Sequence, residues 1–317
     1  MKYKELGNSG IQVSEIAFGG VEIGMPYGLS MQGAHEPMQG QDAIKLLHSA
    51  LDKGINFFDT ARLYGRSEEI MGDAFMGMRS RVILASKCRH LRLPDGSLPA
   101  SNVLKAIVRE SIRESLKALK TDYIDVFLLH YADAEILNTE VLYEVFEEIV
   151  NSGLIRVPGI SVYEPAETAL ALNKGFWKVI QLPFNLMDQR QSAYFEKAKA
   201  AGVAIVARSV LMRGLLTDKS FQLHPALKDV QDHIHLFKDL FIDGRDSLPA
   251  LAMQFVASHE AVSSVLIGID KQSYLEEALC YFRDRHLTSS ELDRARQLSF
   301  PDQEFLNLAK WDKNGWL

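Results

Sequence analysis

The sequence predicts an α/β protein, a single (β/α)8 (TIM) barrel spanning residues 1–317 with an N-terminal β-hairpin, and three observations carry that prediction. Eight short apolar segments alternate with amphipathic helical patterns, the order that produces a parallel sheet covered by helices. No Pro/Gly/Ser-rich linker or low-complexity insert separates the eight units, which favours one closed barrel over two domains. The glycines of Gly19-Gly20-Val21-Glu22-Ile23-Gly24 lack the G-x-G-x-x-G spacing of a doubly wound dinucleotide-binding sheet.

In chain order, Gly7-Asn8-Ser9-Gly10 is a turn signal and places a hairpin at the N-terminus. The first half of the barrel is predicted to take its strands from Glu15 to Gly19, Ile55 to Asp59, Val82 to Lys87 and Ile124 to His130. The second half is predicted at Val157 to Val162, Val179 to Leu182, Ala204 to Ser209 and Ser264 to Gly268. Each segment is apolar and short, as a strand buried on both faces must be. Between them, Asp42 to Leu51, Val103 to Leu119 and Val141 to Val150 repeat apolar residues at helical spacing.

Composition narrows the function classes. A chain of 317 residues, 47% hydrophobic, can bury a large core, and a formal charge of -6 argues against nucleic acid or an anionic membrane surface as partner. The sequence contains no apolar run of membrane-spanning length, and the Met1-to-Gly7 stretch has no apolar signal region, so a cytoplasmic protein is expected. Cys88 and Cys280 stand far apart without metal-ligand spacing, so no metal is expected, and Cys88 is read as structural.

Chemistry in such a barrel is sought at the C-terminal strand ends. Asp59 ends the second strand, Tyr64 follows in the next loop, Lys87 ends the third and His130 the fourth. Each has a bland alternative: Asp59 or Thr60 as a helix cap, Lys87 as a snorkelling surface lysine, His130 as a structural histidine. Together they read as a site. A lysine ammonium near a phenol favours phenolate and makes Tyr64 a usable general acid, a carboxylate holds that lysine charged, and a neutral imidazole offers a second donor to a carbonyl oxygen. The sequence offers no G-x-S-x-G nucleophile, so the attacking group is expected to arrive with a cofactor, and hydride from a reduced nicotinamide suits a carbonyl held this way.

These residues resemble the aldo-keto reductases. The similarity rests on Leu6 to Ser14, Gly54 to Gly65 with its Asp59-Thr60-Ala61-Arg62-Leu63-Tyr64-Gly65 core, Ser67-Glu68 with Gly72, Lys87, Leu128-Leu129-His130 and Gly159-Ile160-Ser161. The resemblance implies a barrel that binds a nicotinamide cofactor without a Rossmann domain, and a catalytic tetrad of Asp59, Tyr64, Lys87 and His130 with Tyr64 as the proton donor. It implies cofactor contacts at Ser161 and Gln181 for the carboxamide, with Val162 where the family usually has asparagine. Arg208 and Leu211 would follow from the seventh strand, and Gly268, Lys271, Tyr274 and Glu277 from the adenosine-binding loop and helix. NADP(H) is the implied cofactor and NAD(H) the alternative, because Asp270 stands beside Lys271.

The substrate is expected to be a small-molecule aldehyde, ketone or sugar. Tyr27 and Met31, in the long loop Met25 to Gly40, are candidate pocket walls, and the C-terminal Trp311-to-Leu317 segment is a candidate neighbour. Two other functions fit the same resemblance: a sugar 1-dehydrogenase working in oxidation, and a non-catalytic cofactor-sensing subunit. Oligomeric state is not written in these motifs.

Overall fold

The computed structural model describes residues 1–27, 38–217, 223–242, 245–283 and 286–316. An antiparallel hairpin, β1 (Tyr3–Glu5) and β2 (Gln12–Ser14), pairs Tyr3 with Ser14. Eight parallel strands then close into a barrel: β3 (Ile16–Gly19), β4 (Phe57–Asp59), β5 (Ile83–Lys87), β6 (Ile124–Leu129), β7 (Ile155–Ser161), β8 (Val179–Pro183), β9 (Ala204–Arg208) and β10 (Val262–Gly268). β10 pairs with β3 to complete the ring. All eight predicted strands are present, with ends displaced by one or two residues; Ser209 drops out of β9 because its φ of 57° ends the ladder.

The helical patterns also form, over Gly40–Asp52, Ser101–Leu119 and Glu140–Asn151. Their buried faces, such as Leu46, Leu47, Ala50 and Leu51 on the first, pack against the outer side of the sheet in one large apolar layer. A second, smaller core fills the barrel itself. It contains Ala17, Phe57, Ala85, Val126, Leu128, Val157, Val179, Ala204 and Val206, sealed from below by Leu6, Ile11 and Val13 of the hairpin.

Strand alternation turns that inner layer into a map of the site. Side chains two residues apart share a face, so the inward positions Phe57, Ala85, Val179 and Val206 bring Asp59, Lys87, Gln181 and Arg208 inward one layer higher, and Val157 brings Ser161 inward two steps on, past Gly159. The barrel is apolar at its closed end and polar at the C-terminal rim.

The hairpin turn is closely fitted to that closed end. Gly7 has φ 59°, and a Cβ there would lie 2.4 Å from the Gly202 carbonyl oxygen. Gly7→Ala is expected to destabilise the fold by about 1–3 kcal/mol, read as a lowered denaturant midpoint at unchanged m-value.

Candidate active site

At the end of β4 and β5, Lys87 is wholly buried (0% exposed) and its Nζ donates to Asp59 Oδ2 at 2.5 Å and to the Thr60 carbonyl oxygen at 3.0 Å. The other carboxylate oxygen, Asp59 Oδ1, accepts from Gln181 Nε2 at 2.8 Å. Both oxygens are therefore satisfied, and the buried ion pair has the hydrogen bonds such a pair needs to persist. The capping alternative fails for Asp59. Helix Ser67–Ala74 starts without a side-chain cap, and the Thr60 hydroxyl donates to Ser67 Oγ at 2.8 Å.

Tyr64 rides on the turn between β4 and that helix, with its N–H on the Ala61 carbonyl at 3.0 Å. Lys87 Nζ lies 4.8 Å from the Tyr64 ring centroid, and the His130 ring meets Tyr64 edge-on at 5.5 Å. The four residues thus share one corner of the rim. The turn is locked from outside by Gly24, where a Cβ would lie 2.0 Å from the Tyr64 carbonyl oxygen and 2.6 Å from the Ser67 nitrogen. Gly24→Ala is expected to cost about 1–3 kcal/mol and to displace Tyr64, measurable as lower stability together with altered near-ultraviolet tyrosine signals.

The electrostatics correct one expectation. Burial, then Asp59, push the Tyr64 phenol well above its ordinary pKa, with Arg208 pulling the other way. Lysine's attraction for phenolate does not prevail, because the Lys87 charge is already matched by Asp59. The consequence is a phenol that stays protonated, the state a proton donor needs. Burial pulls Lys87 below the usual lysine value, opposed by Asp59. Burial, then the charge of Lys87, hold His130 neutral, down to about 2, and its buried Nδ1 has no hydrogen-bond partner. Cys88 is buried and pushed up to about 12, an inert thiol as expected.

Asp59, Tyr64 and His130 open into a cavity of about 440 Å³, with Lys87 buried behind them. Ser161, Gln181, Arg208, Leu211, Gly268, Tyr274, Glu277 and Tyr27 all line it, so the structure brings together most of the residues singled out from the sequence. Lys271 is not part of this wall; it borders a separate depression with Asp42 and Gln272, its Nζ 5.4 Å from the Tyr274 ring. Met31 lies outside the described residues. Gln181 has its amide N–H on Asp59, which leaves only part of that group for a carboxamide. Arg208 stacks on Tyr163 at 4.2 Å and donates to the Val162 carbonyl at 2.9 Å. The C-terminal segment reaches this neighbourhood through Asp312, which pairs with Arg213 at 3.3 Å, and Arg213 Nε donates to the Tyr27 hydroxyl at 3.3 Å.

Sequence reading missed Glu22, Tyr163 and Arg213, which line the cavity together with Asp270. Glu22 was accessible by the same argument as Asp59, being an ionisable side chain just past a strand end. Tyr163, a phenol two residues past the end of β7, was accessible in the same way, whereas Arg213 carries no such signal, since its loop is placed only by barrel closure. The cavity walls suit a nicotinamide dinucleotide: the unpartnered His130 Nδ1 lies at one end, and Asp270, Tyr274 and Glu277 line the other side of the same cavity. Among the described residues, no group of His, Cys, Asp and Glu is arranged to hold a metal ion, and no helix is long and apolar enough to cross a membrane.

Residues 15–299 match the model of the aldo/keto reductase family. The chain is 32% identical over 305 residues to an uncharacterized oxidoreductase, YqkF, of Bacillus subtilis, covering 92% of this chain and 94% of that one. It is 27% identical over 299 residues to L-galactose dehydrogenase of Arabidopsis thaliana, covering 87% and 86% respectively. Among solved structures, the holo form of aldo-keto reductase AKR11C1 from Bacillus halodurans superimposes with a TM-score of 0.78 at 27% identity, over 96% of this chain and 99% of that one.

Proposed function

Since the chain belongs to the aldo/keto reductase family, we propose that it interconverts an aldehyde, ketone or sugar carbonyl with its alcohol by hydride transfer, with Tyr64 as the general acid and base. The observation that carries this reading is the buried Lys87–Asp59 pair beside a protonated Tyr64 and a neutral His130 in one cavity. Ser161, Gln181, Arg208 and the segment from Gly268 to Glu277 would hold the dinucleotide.

A bound reduced nicotinamide supplies the hydride. Tyr64 Oη donates its proton to the carbonyl oxygen as the C=O π bond breaks, and the Lys87 ammonium opposes the charge left on the phenolate. His130, being neutral, offers a ring N–H to the same oxygen without adding a cation that would compete with Lys87. Asp59 and Gln181 act through Lys87 by keeping its ammonium aimed and charged. The same groups run in reverse for oxidation, and likeness to an L-galactose dehydrogenase supports a second reading in which a sugar is oxidised.

NADP(H) is the leading cofactor on family habit. Asp270 and Glu277, in the segment proposed to hold the adenosine, line the cavity while Lys271 borders a separate depression, which supports keeping NAD(H) as the alternative. Fluorescence titration with NADPH and NADH, followed by dinucleotide turnover with a panel of aldehydes, ketones and aldoses in both directions, tests the proposal. Binding without turnover of any carbonyl or sugar would overturn it.

A further inference from the structure

Glu22 has no part in the proton chemistry above. It lies on the short helix Val21–Gly24, just past β3, and its carboxyl sits over the end of β10. A Cβ at Gly268 would lie 2.0 Å from Glu22 Oε1, so the carboxyl is packed directly on the β10 backbone at that glycine and a side chain there would displace it. Glu22 also lines the cavity, and its Oε2 is buried with no hydrogen-bond partner. Buried polar atoms left unmatched are costly, and in a cavity wall they point to a ligand atom as the missing partner.

Its surroundings are acidic. Asp270 faces it from the segment after β10 and Asp59 from the end of β4. Helix Ser67–Ala74, packed behind it, carries Glu68, which is taken by Arg62 and by the Ser86 hydroxyl, and Glu69, whose Oε2 is also unpartnered. Withdrawal from water, then Asp270 and Asp59, push the Glu22 carboxyl up to about 8. Glu22 therefore lies within reach both of Asp59, in the proton-transfer corner, and of Asp270, in the segment proposed above to hold the adenosine.

We propose that Glu22 is a pH-dependent dinucleotide contact, its neutral carboxyl donating an O–H to an oxygen of the ribose–diphosphate linker and its ionised form repelling that anion. The assignment rests on the dinucleotide site proposed above. A neutral acid is the form of this side chain that can donate to a polyanion; a carboxylate there would add a third negative charge beside Asp59 and Asp270.

Direct titration of the full-length protein with NADH and with NADPH between pH 7 and 9.5 tests it. Wild-type affinity is expected to fall on the order of tenfold across that range, and Glu22→Gln to bind with nearly constant affinity. A flat wild-type profile, or an equal fall in Glu22→Gln, overturns the role of Glu22 while leaving the cofactor reading intact. No binding of either dinucleotide at any pH overturns both. A second readout needs no ligand. With the folded carboxyl near 8 against an unfolded value of 4.5, the native state holds the proton more tightly, so stability falls as pH rises through that window. The melting temperature of Glu22→Gln should therefore gain on wild type from pH 4.5 to 8, and a constant difference would contradict the neutral carboxyl. In the Asp270→Asn variant the onset of weakened binding should move to lower pH, and an unmoved onset counts against the proposal.

Discussion

Replacing Tyr64 by Phe is expected to lower kcat for carbonyl reduction by roughly 10²–10⁴-fold, the usual worth of a general acid, while leaving dinucleotide binding nearly unchanged. The Tyr64 ring is held by the edge-on His130 contact and the Lys87 ammonium, and both survive loss of the hydroxyl alone. Cavity shape should therefore persist, and the effect should fall on the chemical step. Because burial holds the phenol protonated, wild-type reduction should not lose its proton donor anywhere in the neutral range. Single-turnover rates of Tyr64→Phe with saturating cofactor check this, and wild-type-like turnover would remove Tyr64 from the mechanism.

The second large effect concerns stability. Asp59→Ala leaves the Lys87 ammonium buried without its counter-charge and frees the Gln181 amide, and it should cost about 3–5 kcal/mol in urea or guanidinium unfolding. The deficit has a pH signature. Burial lowers the folded Lys87 value below lysine's usual 10.5, so the unfolded chain binds more protons there and stability of the variant should recover as pH rises toward 10.5. The double variant Asp59→Leu with Lys87→Met should regain much of the loss, because it removes the uncompensated charge. A single variant as stable as wild type would mean that Lys87 finds another partner.

Much of the candidate site was legible because strand alternation is a local rule. Phe57 to Asp59, Ala85 to Lys87 and Val179 to Gln181 are each a two-residue step from barrel interior to rim, and any such step ending in a polar residue is visible in sequence. The fold was legible for a related reason, since apolar strand and amphipathic helix repeat in order along the chain. Lys271 shows the limit. Its place in the segment after β10 suggests a phosphate partner, but which depression its side chain borders, here the one with Asp42 and Gln272, depends on how that segment packs and is not written in residue type.

Asp59 and Lys87 were expected to pair, yet nothing local links Asp59 to Gln181, 122 residues away, until the ring closes and sets β4 and β8 across one interior. The protonation states follow the same division. Sequence names the titratable groups, but their pKa values depend on burial and on charges contributed by other strands, so Tyr64 moves up where sequence reasoning moved it down, and burial with nearby carboxylates pushes Glu22 up where composition counts a charge. By itself the sequence determined the barrel, its polar rim and the family. Tertiary structure decided which rim groups touch, which are charged and which face the cavity, because those are properties of distance and solvent exposure that exist only after the barrel closes.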